Sequence, residues 1–376
     1  MSDDDNNGNN RKRNACRPRP RDAGIVFGVL PTGAHNAITD VEGVAVGHVT
    51  VSHGEGKLVP GKGPARTGVT AILPHRGNLF RQPVAAAYHV MNGFGKTIGL
   101  PQVGELGTIE TPILLTNTLN VGLVADGLVE YMIRTNPDIG ITAGSVNPLV
   151  GECNDGWLND IQGRHVKPEH AIEAITRATG GPVAEGAVGA GTGMSCFEFK
   201  GGIGTASRVV EHHDGRFTVG CLVLSNFGGK QELTIVGVPV GRELAARPEH
   251  RPEDGSIIIV LATDAPLTDR QLGRIARRAP FGLARTGSTC GHGSGDFAIA
   301  FATTEAGGQG LPGGARRVMD SSPALGLLFK AAIEATEEAI INSLFAAETT
   351  VGRDGHVREA LPVDETLAIL RRYGRL

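Results

Sequence analysis

The most restrictive feature of the chain is a set of short β-type runs that carry almost no polar residue. SIIIVLAT (256–263) and DFAIAFAT (296–303) are apolar at nearly every position. A strand with one wet face alternates apolar and polar side chains, whereas a strand covered on both faces does not. VEGVAVGHVTV (41–51), RTGVTAIL (66–73), RFTVGCLVLSN (216–226) and ELTIVGVPV (232–240) extend the series of predicted strands. Helical patterns between them supply the cover. TLNVGLVADGLVEYMIRT (118–135) sets Leu119, Leu123, Leu128 and Met132 on one face. KPEHAIEAITRAT (167–179) has Pro168 as a start signal and Gly180-Gly181 as a stop. Thr268 and Gln271 form a capping-box pattern ahead of Leu272, Ile275, Ala276 and Ala279. Ser322-Pro323 opens the longest helix, lined by Leu325, Leu328, Phe329, Ala332, Ile333 and Ile340. The predicted class is layered α/β, with helices packed on sheets.

Composition narrows the function. A net charge of −3 excludes strong polyanion binding by the chain as a whole, and 4 % aromatic residues with the single Trp157 provide no base-stacking platform. Nucleic acid is therefore not an expected partner. No apolar stretch approaches the ~20 residues that span a bilayer. The N-terminus also lacks the apolar segment of a signal peptide, so the expectation is a cytoplasmic protein with no membrane partner. The five cysteines are odd in number and lack C-x-x-C spacing, which argues against a disulfide framework and a zinc site.

Residues 1–22 are low in complexity and read as a disordered tail. Their basic residues Arg11, Lys12, Arg13, Arg17, Arg19 and Arg21 read as a solvated extension, with contact to an acidic partner as the other reading. Residues 23–376 read as one domain. GRELAARPEHRPEDG (241–255) is the clearest break in apolar density and reads as an exposed loop between its two halves.

Several stretches carry residue types suited to chemistry. Gly255-Ser256 joins the charged loop to a rigid strand. Alone, this dipeptide is a turn before a strand. It is also the arrangement that an N-terminal serine nucleophile needs. A free α-amine with a pKa near ~8 can activate the hydroxyl, and glycine places no Cβ near the attacked carbonyl. In CGHGSGDFAIAFAT (290–303), Ser294 and Asp296 fall on one face of an incipient strand. They read as a relay for a hydroxyl or amine, as a glycine-rich turn with a solvated carboxylate, or as a phosphate-cradling loop lacking the lysine and helix such a loop needs.

Asn226 ends the run VLSN before Gly228-Gly229 and reads either as a turn residue or as an oxyanion donor. GECNDGWLNDIQGRH (151–165) clusters Glu152, Asp155, Asp160, Arg164 and His165 around Trp157. A carboxylate there suits a substrate ammonium better than a metal, because paired-His spacing is absent. GAVGAGTGM (186–194) has the glycines of a dinucleotide loop but no helix after it. Cys153, Cys196 and Cys290 adjoin these stretches without an evident activating partner.

In order along the chain, ITDVEGVAVGH (38–48), RTGVTAILP (66–74), NGFGKTIGLPQVGELGTIETPILLTNT (92–118), NPLVGECNDGWLND (147–160), EGAVGAGTGM (185–194), the Asn of VLSNFG, DGSIIIVLATDAPL (254–267) and GSGDFAIAFAT (293–303) resemble the self-processing serine aminopeptidases. These are the L-aminopeptidase/D-esterase and β-peptidyl aminopeptidase family, peptidase family S58. The resemblance implies a layered α/β/β/α sandwich similar to N-terminal-nucleophile hydrolases but with different connectivity.

It further implies self-cleavage between Gly255 and Ser256 into an α chain (1–255) and a β chain (256–376) that stay together and assemble as tetramers of αβ units. Ser256 would be the nucleophile, with Ser294 and Asp296 supporting it, Asn226 in the oxyanion hole and Glu152 holding the substrate amine. Substrates would be short peptides, amino-acid amides or esters with a free amine, including D-amino-acid esters or β-peptides, without metal or cofactor. Two positions depart from the family pattern. Asn154 stands where some members carry an aromatic residue, and Asp296 stands where the family often has Glu. The rival readings are an acyltransferase of the ornithine-acetyltransferase type and a binding protein that is never processed. Feeding an acyl donor with excess amine separates the first from a hydrolase.

Overall fold

The computed structural model describes residues 17–244, 255–304 and 318–376. Two sheets stack face to face. The first has four strands in the order β1 (Ala45–His53), β2 (Ala65–Leu73), β5 (Ile113–Asn117) and β6 (Leu149–Cys153). The second has six, in the order β4 (Thr108–Ile109), β3 (Val84–Gly93), β12 (Gly295–Ala302), β11 (Ser256–Thr263), β10 (Gly215–Asn226) and β9 (Gly202–His212). The β5–β6 and β11–β12 pairs are parallel, and β10 pairs with β11 antiparallel. Two short hairpins, β7 (Ser195–Cys196) with β8 (Phe199–Lys200) and β13 (Thr350–Val351) with β14 (Val357–Arg358), lie outside the sheets.

The all-apolar character of β11 follows from its position. Ile258, Val260 and Ala262 face the other sheet, where they meet Ile113, Leu115 and Leu149. Ile257, Ile259 and Leu261 face helices on the opposite side. Those helices are α5 (Asp269–Ala276), α6 (Ala279–Arg285) and α7 (Pro323–Ala346). Helices α2 (Val121–Thr135) and α3 (Pro168–Thr176) cover the outer face of the four-stranded sheet through Val124, Leu128 and Ile175. The result is the expected α/β/β/α sandwich. Helices α1 (Leu100–Leu106), α4 (Val240–Leu244) and α8 (Val363–Arg372) complete the set of α-helices among the described residues. Among the described residues, no helix is long and apolar enough to cross a membrane.

Both predicted caps of the C-terminal third are present. Thr268 Oγ1 accepts from Gln271 N–H, and Gln271 Oε1 accepts from Thr268 N–H at 3.0 Å. Ser322 caps α7 through Ala324 N–H. Other expectations need correction. Residues 232–240 are not a strand, because Val236 and Gly237 take left-handed φ of 44° and 83° and fold the chain back so that Ile235 and Val238 bond each other.

Leu119 is 47 % exposed, because Thr118–Asn120 form a separate 3-10 turn and the buried stripe of α2 begins at Val121. Helix α3 ends at Thr176, before Gly180-Gly181, because Thr179 exchanges two backbone hydrogen bonds with Val46 at the edge of β1. Of the predicted loop 241–255, the first residues belong to α4, and 245–254 lie outside the described residues.

The expected tail over 1–22 also differs at its end, where residues 17–22 dock on the body and only 1–16 lie outside the described residues. Arg17 donates to the carbonyls of Phe345 and Leu361, and Arg19 pairs with Glu185. Arg21 pairs with Glu338 of α7. Beneath it the fully buried Arg208 of β9 reaches Glu338 at 2.6 Å and Glu334 at 3.2 Å. Buried carboxylates on a helix are tolerable only when paired in this way.

Candidate active site

Three strand ends converge. Asn226 ends β10 directly opposite Ser256, which begins β11, and Gly295, which begins β12, lies opposite Ser256 on its other side. Ser256 Oγ donates to the Gly255 carbonyl at 2.6 Å and accepts from Gly295 N–H at 3.3 Å. The same N–H lies 3.2 Å from the Gly255 carbonyl oxygen. One donor therefore faces both the hydroxyl and the carbonyl before it. Glycine at 255 is a packing requirement, since a Cβ there would come within 2.6 Å of Phe227 Cα.

Ser294 and Asp296 flank Gly295, and their side chains meet. Ser294 Oγ donates to Asp296 Oδ1 at 2.5 Å, and both residues are buried. Burial raises the Asp296 carboxyl above its ordinary value, against the pull of Ser294, Ile257 N–H and the Cys290 thiol. Ser256 Oγ bonds to neither Ser294 nor Asp296 in this arrangement, so any relay between them needs a proton carrier or a small rotation.

The Asn226 amide is held at both ends. Its Oδ1 accepts from Ser195 N–H at 2.8 Å, and its Nδ2 donates to the Asn154 carbonyl at 3.0 Å. The Asn154 side-chain oxygen accepts from Gly156 N–H, and it is the Asn154 backbone carbonyl that meets Asn226. Glu152 approaches from β6 in the other sheet. Its Oε1 accepts from Lys96 N–H at 2.8 Å and its Oε2 from the Thr118 hydroxyl.

These groups line one cavity of about 720 Å³. Ser256, Asn226, Glu152 and Asn154 face it, while Ser294 and Asp296 stand behind the lining. Phe94, Lys96, Thr118, Ser195 and Arg358 also line it, and the sequence reading assigned none of them a role. Lys96 and Thr118 lie in the run 92–118 that carries the resemblance, which was the available signal. Arg358 had none, because it arrives on the β13–β14 hairpin and stands over the Trp157 ring at 4.6 Å. His356 stacks on Trp157 at 3.9 Å.

The remaining candidates have other tasks. Burial pushes the Asp155 carboxyl up to about 7 against hydrogen bonds from Thr67, Asn159 and Asn117. Burial also acts to raise Asp160, but hydrogen bonds from His165, Gly61 and Gly63 outweigh it and hold the carboxyl below its ordinary value, so Asp160 ties two loops together. Burial raises the Cys153 thiol strongly and pushes Cys196 up to about 12, which suits inert thiols. Gly189–Gly193 form a buried 3-10 turn that leads into β7, not a phosphate loop before a helix. The His212, His213 and Asp214 side chains have ligand atoms close enough to share a cation, but they sit on the β9–β10 turn at the far end of β10 from Asn226.

A serine backed by fixed amide donors, beside a carboxylate able to hold an ammonium, is an arrangement suited to acyl transfer from a substrate with a free amine. Comparison with known proteins agrees. The model of peptidase family S58 matches residues 36–358. The beta-peptidyl aminopeptidase BapA of Sphingosinicella microcystinivorans is 48 % identical over 376 residues, spanning 96 % of this chain and 93 % of that protein. The crystal structure of the PH0078 protein from Pyrococcus horikoshii OT3 superposes with a TM-score of 0.89 at 58 % identity, covering 96 % of this chain and all 100 % of that one. The L-aminopeptidase D-Ala-esterase/amidase from Ochrobactrum anthropi superposes with a TM-score of 0.85 at 40 % identity, covering 96 % and 100 %. That enzyme is described as a prototype serine aminopeptidase with a new variant of the Ntn hydrolase fold.

Proposed function

The chain belongs to peptidase family S58 and is an aminopeptidase, and from that premise we propose that Ser256 is the nucleophile both of a self-cleavage and of the peptidase reaction. The observation that carries this reading is the placement of the Ser256 hydroxyl. It lies at a strand end on the cavity wall, against the Gly255 carbonyl, with Gly295 N–H shared between them.

In the self-cleavage, Ser256 Oγ attacks the Gly255 carbonyl carbon. The carbon–nitrogen bond breaks, the nitrogen gains a proton and becomes the α-amine of Ser256, and water hydrolyses the ester left behind. The products are residues 1–255 and 256–376. In turnover, Ser256 Oγ attacks the substrate carbonyl, and its proton passes to its own α-amine or through Ser294, which Asp296 orients. Asn226 Nδ2 and Gly295 N–H receive the developing oxyanion. The leaving amine takes the proton, and water releases the acyl group. No metal or cofactor enters the scheme.

Glu152 holds the free amine of the substrate. Its two oxygens already accept from Lys96 N–H and the Thr118 hydroxyl, which hold the carboxylate in place for an ammonium. The proposed substrates are short peptides, amino-acid amides and esters with a free amine. The name of the Sphingosinicella relative supports N-terminal β-amino-acid residues among them. The family resemblance supports cleaved chains that stay paired and assemble as four αβ units.

Intact mass and N-terminal sequencing of the purified protein, followed by a panel of aminoacyl amides and β-dipeptides, test the scheme. A new terminus beginning Ser-Ile-Ile-Ile and release of the N-terminal residue are expected. A stable full-length chain that hydrolyses these substrates would overturn the assignment of Ser256.

A further inference from the structure

Lys200 is a lysine with no accessible surface, and among the described residues no carboxylate forms an ion pair with it at contact distance. Its Nζ donates to three backbone carbonyls, Gly191 at 2.9 Å, Met194 at 2.9 Å and Gly201 at 2.7 Å. An ammonium is costly to bury, and an apolar side chain could fill the same space without that cost. The three acceptors account for how the charge is tolerated, and the next bond along shows what it acts on.

The Met194 carbonyl and Ser195 N–H belong to one peptide group. That N–H donates to Asn226 Oδ1 at 2.8 Å, and the other end of the same side-chain amide, Nδ2, faces the cavity beside the Asn154 carbonyl. Ammonium, peptide and side-chain amide therefore form one unbroken line of donors and acceptors. In such a line each bond polarises the next, so a charge at one end makes the last donor stronger. The ammonium also binds both sides of the β7–β8 hairpin, through Met194 before it and Gly201 after it, which holds Ser195 in place.

We propose that Lys200 is a positioning residue for oxyanion stabilisation, fixing and polarising the Asn226 amide through the Met194–Ser195 peptide. The proposal rests on the reading of Asn226 as oxyanion donor to the Ser256 reaction, and the test separates the two.

Lys200→Gln, Asn226→Ala and the double variant are made in the full chain. Turnover of an aminoacyl amide is measured per processed chain, together with the half-time of self-processing. Asn226→Ala should lower kcat by about 100-fold or more. Lys200→Gln should lower kcat roughly three- to tenfold with KM unchanged, and should add nothing in the Asn226→Ala background. An equal loss in both backgrounds, or a folded Lys200→Gln protein with normal kcat, overturns the role of Lys200. An Asn226→Ala protein with normal kcat overturns instead the reading of Asn226 itself.

Should Lys200→Gln fail to fold, the unaltered protein still decides. The side-chain amide protons of Asn226, followed by NMR, should move when the Lys200 ammonium titrates. Burial lowers that ammonium from 10.5 to about 7, and Cys196 and Asp155 are the ionisable groups that act against the shift, so Asp155→Asn serves as a control. An Asn226 signal that ignores the ammonium overturns the proposal.

Discussion

Asn226 and Ser256 are paired residues at the end of the β10–β11 ladder, each the terminal residue of its strand. Replacing Ser256 therefore leaves a paired, anchored position and removes only the hydroxyl. Ser256→Ala should fold normally, remain a single chain by intact mass, and lose turnover to the assay floor. A Ser256→Ala protein that still splits before residue 256 would point to an outside protease.

In the proposed scheme Glu152 binds the substrate amine and takes no part in bond breaking. Glu152→Gln should raise KM for aminoacyl amides by about ten- to a hundredfold, the range of a charge-assisted hydrogen bond, with a smaller change in kcat. N-acetylated versions of the same substrates should be poor for both proteins. An unchanged KM in steady-state assays would remove Glu152 from amine recognition.

Ser294 and Asp296 share a hydrogen bond of 2.5 Å, so they should act as a unit. Ser294→Ala and Asp296→Asn should each lower kcat by roughly 10- to 100-fold, and the double variant should be no worse than the poorer single one. Because burial raises the Asp296 carboxyl, the wild-type kcat should fall with acid at a pH above the ordinary aspartate range. That limb should be missing in Asp296→Asn. Additive losses in the pair would mean that the two side chains act separately.

His48 predicts a pH effect on stability apart from the chemistry. Burial lowers its imidazole from 6.5 to about 4, and Thr70 Oγ1 lies 2.9 Å from Nδ1. The unfolded chain takes up that proton first as the pH drops. The stabilising contribution is whole above pH 6.5 and is lost as the pH falls towards about 4, a total of about 3 kcal/mol. His48→Gln should lose less stability between pH 7 and 4 than the wild type in urea titrations. Parallel losses would show that His48 is not buried as a neutral ring.

Much of the layered fold was legible in the chain because β11 and β12 are apolar on both faces, which only an interior strand explains. The capping signals at Thr268 and Ser322 were equally local. What failed depended on one local turn and on partners distant in sequence. Residues 232–240 have strand-like composition, but the left-handed turn at Val236-Gly237 leaves no register for pairing. Glu334 and Glu338 look like solvent-facing breaks in a helix until Arg208, 126 and 130 residues away, is placed beneath them.

The same division runs through the site. Ser256, Asn226, Ser294 and Asp296 stand next to strand boundaries that the pattern marks. Lys96 contributes its backbone N–H, which no side-chain pattern can announce. Arg358 and Lys200 take their meaning from hairpins folded against distant elements.

The strand order of the six-stranded sheet carries one more consequence. Strands β11 and β12 lie after position 255 in sequence, yet in space they sit between β3 and β10, which lie before it. A break at Gly255–Ser256 would thus leave a later piece wedged into the middle of an earlier one. The two could separate only by tearing the sheet along both seams and exposing Ile257 through Leu261 to water. Such a molecule would be nicked in its covalent chain but interlocked in its architecture, and its halves should melt together in a single transition.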